Sequence, residues 1–416
     1  MSDFHTSDSS SVPSDWKAYS IGEIGRIKNG INKPKGAFGS GYPFVNLNDV
    51  FGRSQIASVE YLDLLQTTPA ERDKYNLQEG DVLFIRSSVK PSGVGLTAVV
   101  TADLNSCVFS GFLLRFRESG ILLTEFKEYC FSASYFRNAL ISSSSVSANT
   151  NINQSALAGL ILLVPPAHEQ QAIAAALSDV DGLVAGLERV IAKKRLIKQG
   201  AMQDLLTARR RLPGFSGEWE YKSLGSVSAF ITKGATPTTY GFEWQSHGVL
   251  FLRSECVGPL GLDLSQSMFI CDHAHKILNR SEVRSGDVLI TITGNVGRVV
   301  RLPAEFAFGN INQHIARIRV SSISSSGEYV FQQLSQQKFV KYFNSIVTGQ
   351  AYPQISLRQV REAVLPFPSL KEQYAIAAVL SDMDAEIQTL EARLAKARAV
   401  KEGMMQNLLT GRVRLV

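Results

Sequence analysis

The most regular spacing of hydrophobic residues lies near the C-terminus, where apolar positions alternate in steps of four and three residues. This spacing places them along one side of an α-helix and is typical of a coiled-coil seam. The positions are Ile376, Leu380, Met383, Ile387, Leu390, Leu394 and Ala397. An earlier segment repeats the spacing until the polar Lys194 interrupts it. Its positions are Ile173, Leu177, Val180, Val184, Leu187 and Ile191. The pattern predicts two helices of about 40 residues, or about 60 Å each at 1.5 Å per residue.

The two helical segments are copies of one another. A shift of 203 positions aligns residues 169–212 with residues 372–415 without a gap, and 25 of the 44 positions are identical. The same shift places Trp16 on Trp219, and this repetition indicates an internal duplication. Two apolar stripes in one chain most simply bury each other, so we predict an antiparallel coiled coil. The alternative is that each helix packs on its own neighbouring head.

The segments that precede the helices have the pattern of mostly β domains with some helix. Short β-rich runs are separated by clusters of Gly, Pro and Ser. The runs are residues 81–86, 96–101, 112–116, 249–252 and 287–292. The predicted fold class is α+β, with two mixed, mostly β domains joined by two long helices. The predicted segments are a flexible tail at 1–15, a first head at 16–165, a central helical region at 166–212, a second head at 213–365 and a C-terminal helical region at 366–416.

The charge of the chain changes this picture little. The net charge is +6. Residues 1–165, the tail with the first head, carry 14 Lys and Arg against 15 Asp and Glu, and the second head carries 14 against 11. A mild basic excess fits a protein that touches phosphates at a few sites, and it is equally common in proteins that never meet DNA. Net charge therefore leaves the function open.

The cysteines and apolar stretches exclude several classes of protein. Four cysteines are scattered singly, which argues against a disulfide framework or a zinc ribbon. Cys271, His273 and His275 would share one face of a strand, but a fourth ligand is not evident and we predict no metal site. The longest apolar stretch, 157–164, is far shorter than the ~20 residues that span a bilayer. Without a signal-peptide pattern at the N-terminus, the sequence predicts a cytoplasmic protein with no membrane segment.

A similar short sequence motif, here called a word, leads into each of the two helices. Residues 165–170 read Pro-Pro-Ala-His-Glu-Gln, and residues 366–373 read Pro-Phe-Pro-Ser-Leu-Lys-Glu-Gln. Each continues into Ala-Ile and then Leu-Ser-Asp-x-Asp, although the second copy lacks the Pro-Pro pair. With the repeat and the seam, these words make nearly the whole chain resemble the specificity subunit of a Type I restriction-modification enzyme.

This resemblance implies that DNA recognition, methylation and cleavage are carried out by different subunits of one enzyme. Two target-recognition domains would each read one half of a bipartite site in double-stranded DNA, and the helices would act as a spacer and hold two modification subunits. Those partners would bind S-adenosylmethionine and methylate adenine, and restriction subunits using ATP and Mg²⁺ would translocate and cleave DNA. This chain itself would be non-catalytic and free of cofactors. It has no Asn-Pro-Pro-Tyr or Asp-Pro-Pro-Tyr word for amino methylation and no phosphate-binding loop of the Gly-x-x-x-x-Gly-Lys type.

The resemblance also marks loops in the heads as candidate DNA contacts. Some of these loops follow the Gly-Asp-Val-Leu words that begin at residues 80 and 286. Arg and Lys can grip phosphate or guanine, while Asn, Gln, Ser and Thr can read base edges from turns that Gly permits. The candidate DNA-binding residues are Lys28, Lys33, Arg86, Ser87, Ser88, Lys90, Lys233, Thr236, Arg253, Thr293, Asn295, Arg298 and Gln350.

Two basic clusters in the helical regions have more than one interpretation. Residues 209–211, three arginines, could grip phosphate or simply favour a helix C-terminus. The cluster at 193–198, with Lys193, Lys194, Arg195 and Lys198, is a solvated face or a partner surface, and the resemblance favours the partner. The rival function is a coiled-coil scaffold whose heads bind protein or carbohydrate. A DNA-binding subunit would lose affinity steeply as salt rises, whereas a scaffold would bind no DNA.

Overall fold

A computed structural model describes residues 12–146, 149–258, 261–349 and 352–415. These residues form two compact units. The first contains the described residues up to Glu188 and those from Ala392 onward, and the second contains Arg189–Glu391. Each long helix therefore contributes one half to each unit.

The first unit contains a head of short strands and helices followed by the start of a long helix. Its strands are β1 (Lys17–Ser20), β2 (Gly25–Asn29), β3 (Phe38–Val45), β4 (Gln55–Ile56), β5 (Asp63–Leu65), β6 (Val82–Ile85), β7 (Ser87–Ser88), β8 (Thr97–Val100), β9 (Val108–Phe109), β10 (Leu113–Glu118), β11 (Ser145–Val146), β12 (Thr150–Asn151) and β13 (Ile161–Val164). Its helices are α1 (Ile21–Ile24), α2 (Leu47–Val50), α3 (Pro69–Tyr75), α4 (Thr124–Cys130), α5 (Ser134–Ser142), α6 (Gln154–Ala158) and α7 (Ala167–Leu205), which continues into the second unit.

A five-stranded sheet of order β2-β10-β6-β8-β4 forms the centre of this head, and a smaller sheet has the order β5-β3-β9. The alternation of strand β10 explains how the central sheet buries both of its faces. Leu114 and Phe116 belong to a core that also contains Phe131 of the helical side, whereas Leu113 belongs to the core shared with α2. The two intervening residues of this strand are arginines, Arg115 and Arg117.

The second unit repeats this plan with different lengths. Its strands are β14 (Glu220–Ser223), β15 (Ser228–Lys233), β16 (Val249–Leu252), β17 (Val257–Gly258), β18 (Gly261–Leu262), β19 (Met268–Ile270), β20 (Glu282–Arg284), β21 (Val288–Thr291), β22 (Val299–Arg301), β23 (Phe308–Ile311), β24 (Ile315–Val320) and β25 (Val364–Phe367). Its helices are α8 (Leu224–Val227), α9 (Asp272–Ile277), α10 (Gly327–Leu334), α11 (Gln337–Ser345), α12 (Leu357–Glu362) and α13 (Leu370–Leu408), which continues into the first unit.

The two heads share their sheet topology. The order β15-β24-β21-β22 repeats β2-β10-β6-β8, and β19-β16-β23 repeats β5-β3-β9. The five β-rich runs predicted from the sequence coincide with β6, β8, the first part of β10, β16 and β21. The predicted α+β class, with two mostly β heads and two long helices, is confirmed.

The aspartate in each of the two Gly-Asp-Val-Leu words has a structural role, which accounts for the repetition of the word in both heads. Both oxygens of Asp81 accept hydrogen bonds from Arg117, from Nε and Nη2 at 2.6 Å each, and Asp81 also accepts from the Gln78 backbone amide. Asp287 repeats this arrangement with Arg319. A bidentate guanidinium–carboxylate pair is both strong and directional. Each word therefore ties the turn before a central strand to the long strand beside it.

The two long helices pair antiparallel within each unit, which confirms the predicted coiled coil. Buried seam positions include Leu187, Ile191, Ile387 and Ala397. In the first unit Arg398 contacts Glu188 and Lys401 contacts Asp181, at 2.6 and 2.5 Å. In the second unit the equivalent pairs are Arg195 with Glu391 and Lys198 with Asp384, at 2.5 Å each. Lys194 contacts Glu386 at 2.6 Å. Three of the four basic residues in the cluster at 193–198 are therefore engaged within the chain rather than left for a partner.

The glutamine of each Glu-Gln word joins its helix to the preceding head through hydrogen bonds. In the first unit Gln170 accepts from the Leu123 amide (2.9 Å) and donates to the carbonyl oxygens of Ile121 and Pro165. In the second unit Gln373 accepts from the Ser326 amide (3.0 Å). The glutamine therefore satisfies buried polar groups that would otherwise cost free energy.

The glutamate of each word is buried and binds an arginine from the end of the other helical region. Arg211 donates to both carboxylate oxygens of Glu372, at 2.6 Å each. In the first unit Glu169 accepts from Arg414 at 2.6 Å and from the Trp16 indole at 2.8 Å. Arg211 therefore has a structural role, and the phosphate-gripping alternative for this residue is not supported. Among the described residues, no helix has a stretch long and apolar enough to cross a membrane.

Candidate nucleic-acid interface

Each head brings three backbone segments together beside its central sheet, and we name this arrangement the recognition frame. In the first head it comprises residues 86–88, 110–112 and 150–152, and in the second head residues 292–294, 312–314 and 353–355. The Arg86 amide donates to the Phe112 carbonyl at 2.9 Å, and the Ile152 amide donates to the Arg86 carbonyl at 3.0 Å.

The second head makes the same backbone contacts. The Ile292 amide donates to the His314 carbonyl at 2.8 Å, and the Ile355 amide donates to the Ile292 carbonyl at 2.9 Å. Position 86 therefore corresponds to position 292 in the fold. The hydrogen bonds that build the frame come from the backbone, so side chains can change without dismantling it.

The side chains carried by equivalent positions of the two frames differ widely. The pairs, first head before second, are Arg86 and Ile292, Ser87 and Thr293, Gly111 and Gln313, Phe112 and His314, and Asn151 and Gln354. Amides, hydroxyls and Arg are the groups that read base edges in a DNA groove. One backbone arrangement thus presents two different chemical surfaces.

In the first head, four predicted residues lie in or next to the frame. Arg86 is half-buried, and its Nη1 lies 3.5 Å from the Gly111 carbonyl. Ser87 and Ser88 form β7 and pair with Asn151 and Thr150 of β12. Lys90 is exposed just beyond this strand. The structure therefore brings these four residues together with a segment about 60 positions later, which the sequence did not place there.

The other two predictions in the first head lie on its framework. Lys28 belongs to β2, and its ammonium donates to the Lys74 carbonyl at 2.7 Å. Lys33 forms an ion pair with Glu71 at 2.7 Å. The nearby Gly30 is required by close packing, because a Cβ there would lie 2.1 Å from the Ser110 carbonyl oxygen. The loop therefore joins the frame through its glycine.

In the second head, hydrogen bonds from the side chain of Thr291 stabilise the predicted turn at 293–298. The hydroxyl of this buried residue donates to the Asn295 carbonyl and accepts from the Arg298 amide. Thr293 pairs with Gln354, and the exposed Asn295 and half-buried Arg298 project from the turn. Arg298 and Arg86 are therefore not equivalent, although both follow the same strand word.

The remaining predictions in the second head are dispersed. Thr236 donates to Gln313 in the frame, and Lys233 is exposed at the end of β15. Arg253 donates through Nε and Nη2 to the Gln266 carbonyl, at 3.2 Å each. Gln350 lies outside the described residues. Of this group, Thr236 is the residue that contacts the frame directly.

The structure adds surface residues in or beside the frames that sequence reasoning missed. Large exposed side chains surround the polar candidates at Val89, Phe112, Val146 and Tyr352, with relative exposures of 82, 57, 76 and 62 %. His314 lies 6.3 Å from Tyr352, measured between ring centroids. Apolar side chains can contact thymine methyl groups. Their identity as surface residues could not be read from the sequence, because the same residue types fill the core.

The segment that contains Cys271, His273 and His275 is the start of a helix rather than a strand. Cys271 instead precedes α9 and accepts a hydrogen bond from the Ala274 amide, while both histidines lie inside the helix. Successive residues of a helix are rotated by about 100°, so residues two apart face different directions. His275 bonds the buried Asn310 at 2.7 Å.

Comparisons with known proteins identify the family. The model for the Type I restriction modification DNA specificity domain matches the chain twice, over residues 13–194 and 216–398. A protein assigned as the MjaX type I restriction enzyme specificity subunit of Methanocaldococcus jannaschii is 25 % identical, with 99 % of this chain and 97 % of that protein aligned. The EcoKI specificity subunit of Escherichia coli K12 is 23 % identical over 81 % of this chain and 75 % of its own length.

Solved structures support the same fold. The Type-I restriction-modification system S subunit from M. genitalium has a TM-score of 0.59 at 14 % identity, with 96 % of each chain covered. A chain described in a study of complex assembly and conformational transition of the type I R-M system has a TM-score of 0.61 at 19 % identity, with coverage of 97 and 100 %. The prediction of a DNA-specificity subunit is confirmed, and the scaffold alternative is not favoured. The chain belongs to the Type I restriction-modification DNA specificity family and carries the family's domain twice.

Proposed function

We propose that each head reads one half of a bipartite DNA site through its recognition frame and that the paired helices set the distance between the two half-sites. In this proposal the helices also dock two modification subunits. Those subunits bind S-adenosylmethionine and methylate adenine, and restriction subunits that use ATP and Mg²⁺ complete the enzyme. The chain itself contributes recognition and no catalysis.

The observation that carries the proposal is the pair of frames with one backbone and two sets of side chains. Backbone hydrogen bonds between residues such as Arg86, Phe112 and Ile152 recur at Ile292, His314 and Ile355. A duplicated reader of a symmetric site would have kept the same side chains in both copies. Divergence at Arg86 and Ile292, and at Phe112 and His314, instead favours two different half-sites.

The helices support the spacer role because their contacts are duplicated as well. Equivalent ion pairs such as Lys401 with Asp181 and Lys198 with Asp384 give both ends of the helical pair the same construction. Exposed apolar residues on α7, Leu183, Val190, Leu196 and Ile197, are available for partner subunits. Helices with an internal seam and an outer apolar face fit both parts of this role.

The test replaces residues 16–165 with the head of another family member, keeping the Glu-Gln word at 169–170 and both helices. The chimera is assembled with its modification subunits, and methylated adenines are mapped over a library of sequences. We expect one half of the methylated site to change and the other half to stay the same. The unaltered second head is an internal control in every experiment.

Three outcomes would contradict the proposal. If a folded chimera loses specificity in both halves, the heads do not read independently. If the unmodified complex binds all duplexes equally, with no preferred site, the frames do not recognise DNA sequence. Methylation of DNA by the purified chain alone, in the presence of S-adenosylmethionine, would overturn the non-catalytic assignment.

A further inference from the structure

The edge of the central sheet in the first head carries an unusual concentration of positive charge. Strands β2 and β10 pair antiparallel in a register that sets Arg26 opposite Arg117 and Lys28 opposite Arg115. Directly opposed residues lie on the same face of a sheet, with Cβ atoms about 5 Å apart. Four cations therefore form a two-by-two grid, which with Lys74 we name the basic sheet patch.

Lys74 extends the grid from helix α3. Lys28 donates to the Lys74 carbonyl, and the two ammonium groups lie 5.6 and 5.4 Å from the centroid of the same Tyr75 ring. Partial burial, together with the proximity of Arg115, Lys74 and Arg117, lowers the pKa of Lys28. The cations therefore lie close enough together to disfavour one another.

Few anions compensate this charge. Asp81 is the carboxylate bonded to the patch, and both of its oxygens are engaged by Arg117. Among the residues that the structure describes, Arg26, Lys28, Lys74 and Arg115 form no ion pair with a carboxylate. Like charges placed directly opposite each other destabilise a sheet. The patch therefore costs stability within the head that carries it.

The fold does not require the two charges on β2, because the second head has neutral residues at the equivalent positions. At the equivalent register Phe230 lies opposite Arg319 and Thr232 opposite Arg317. Both arginines stack on Phe230, at 4.4 and 4.9 Å from its centroid, and Arg317 donates to Thr232. A strand without cations at these positions thus supports the same two arginines.

We propose that the accessible cations of the basic sheet patch, Arg26, Lys28 and Lys74, bind the phosphate backbone of duplex DNA and position the first head on its half-site. The buried Arg115 and the Asp81-bound Arg117 lie behind them and add positive potential. The proposal rests on the proposed DNA-reading function and deepens it by assigning affinity and sequence reading to different surfaces of one head. Phosphates relieve the mutual repulsion of the cations by supplying the missing anions. Backbone contacts of this kind fix register and orientation without reading sequence. The first head as a whole, with 14 basic against 12 acidic residues, gives no sign of this patch.

The test reverses one charge of the patch and compares it with a matched reversal elsewhere. Arg26→Glu changes an exposed grid residue and keeps a charge on the edge strand. Lys17→Glu makes a similar charge change at an exposed position of β1 in the same head. Each full-length variant is assembled with its modification subunits, and binding is measured between about 50 and 200 mM salt. The probes are a duplex with the mapped target and one with the same bases in scrambled order.

Arg26→Glu is expected to weaken binding to both duplexes by the same factor, about tenfold. The slope of log affinity against log salt should fall by about 1 for each phosphate that the variant no longer neutralises. Lys17→Glu should change affinity less than about twofold by the same measurement. Because Arg26→Glu places a carboxylate opposite Arg117, this variant should unfold at the same temperature as the parent or a higher one.

Three results would overturn the inference. Equal effects of the two reversals would show that only net charge matters, and a lower unfolding temperature for Arg26→Glu would make Arg26 a structural residue. Loss of assembly with the modification subunits would assign the patch to a protein partner. Failure of the unmodified complex to prefer its target would instead refute the proposed function, and it would leave the scrambled-duplex comparison of the two variants as the test of the patch.

Discussion

At the scale of single residues, the two arginines that follow the Gly-Asp-Val-Leu strands have different positions. Arg86 occupies the frame position that Ile292 holds in the second head, whereas Arg298 projects from a turn organised by Thr291. Two heads descended from one ancestor therefore place an arginine at different points of the same surface. Each head must be tested for itself.

Arg86→Ala should relax one base position in the half-site read by the first head. If Arg86 makes a bidentate contact to guanine, the loss costs about 1 to 3 kcal/mol on the target and little on other sequences. The measurement is target affinity against a set of single-base variants. Arg53→Ala, which removes an exposed arginine over Tyr61 of the same head, is the matched control.

The prediction of Arg86 as a base contact fails if its substitution weakens every duplex equally, since that result assigns the residue to phosphate. No change in affinity would assign it to framework contacts such as the one with Gly111. Either outcome leaves the other frame residues open to the same test.

At the scale of elements, the long helices are held to the heads by buried polar contacts as well as by the apolar seam. Ile173 and Leu177 are fully buried in the first core, as Ile376 and Leu380 are in the second. Burying a Leu or Ile side chain contributes about 1.5 to 3 kcal/mol. An arginine donates hydrogen bonds to the buried glutamate beside each cluster.

Arg211→Ala should destabilise the second unit strongly. It would leave the carboxylate of Glu372, which is 1 % exposed, without its two guanidinium hydrogen bonds. Breaking a buried pair by removing one partner costs about 3 kcal/mol or more. Urea unfolding of the full chain measures this loss as a lower midpoint.

Arg209→Ala is the control for this substitution, because Arg209 is exposed and its Nε lies 3.9 Å from Asp204. Surface pairs contribute about 0 to 1 kcal/mol. A similar fall in the urea midpoint for both variants would mean that the Arg211–Glu372 contact stabilises the second unit no more than a surface ion pair does.

At the scale of the whole molecule, recognition and spacing belong to different parts of the chain. The frames vary between heads, whereas the helices keep 25 identities over 44 aligned positions. A part that touches different DNA sequences must diverge, but a part that sets a distance must keep its length and seam. This separation predicts that the spacing can be changed without altering either half-site.

Inserting seven residues into each helix, after Ile191 and after Arg393, should lengthen the central gap of the DNA target. One heptad preserves the seam and adds ~10 Å at 1.5 Å per residue. Both helices must be extended because they pair antiparallel. At ~3.4 Å per base pair, the preferred gap should grow by up to about three base pairs. The readout is methylation mapping over a library of gap lengths.

The matched control inserts four residues in each helix, which breaks the heptad register. It should lose activity rather than select a new gap. A seven-residue variant that is active and still prefers the original gap would show that the helices are a docking surface and that another feature sets the spacing.

The amino-acid sequence by itself determined the duplication, the α+β class, the long helices and the family. These features are local or periodic: heptad spacing, β-rich runs and repeated words such as Glu169-Gln170 are carried by neighbouring residues. The sequence also determined which loops follow the central strands. It could not distinguish a structural repeat from a functional one, because both preserve residue types.

Tertiary structure alone decided which residues share a surface. The frame joins positions 86, 112 and 151 through hydrogen bonds between segments far apart in the chain, and the basic sheet patch exists because of the β2–β10 register. A shift of one residue in that register would send Arg26 and Lys28 to the opposite face. Register depends on the packing of both sheet faces and on the contacts of Asp81, so no local pattern could have placed these charges together.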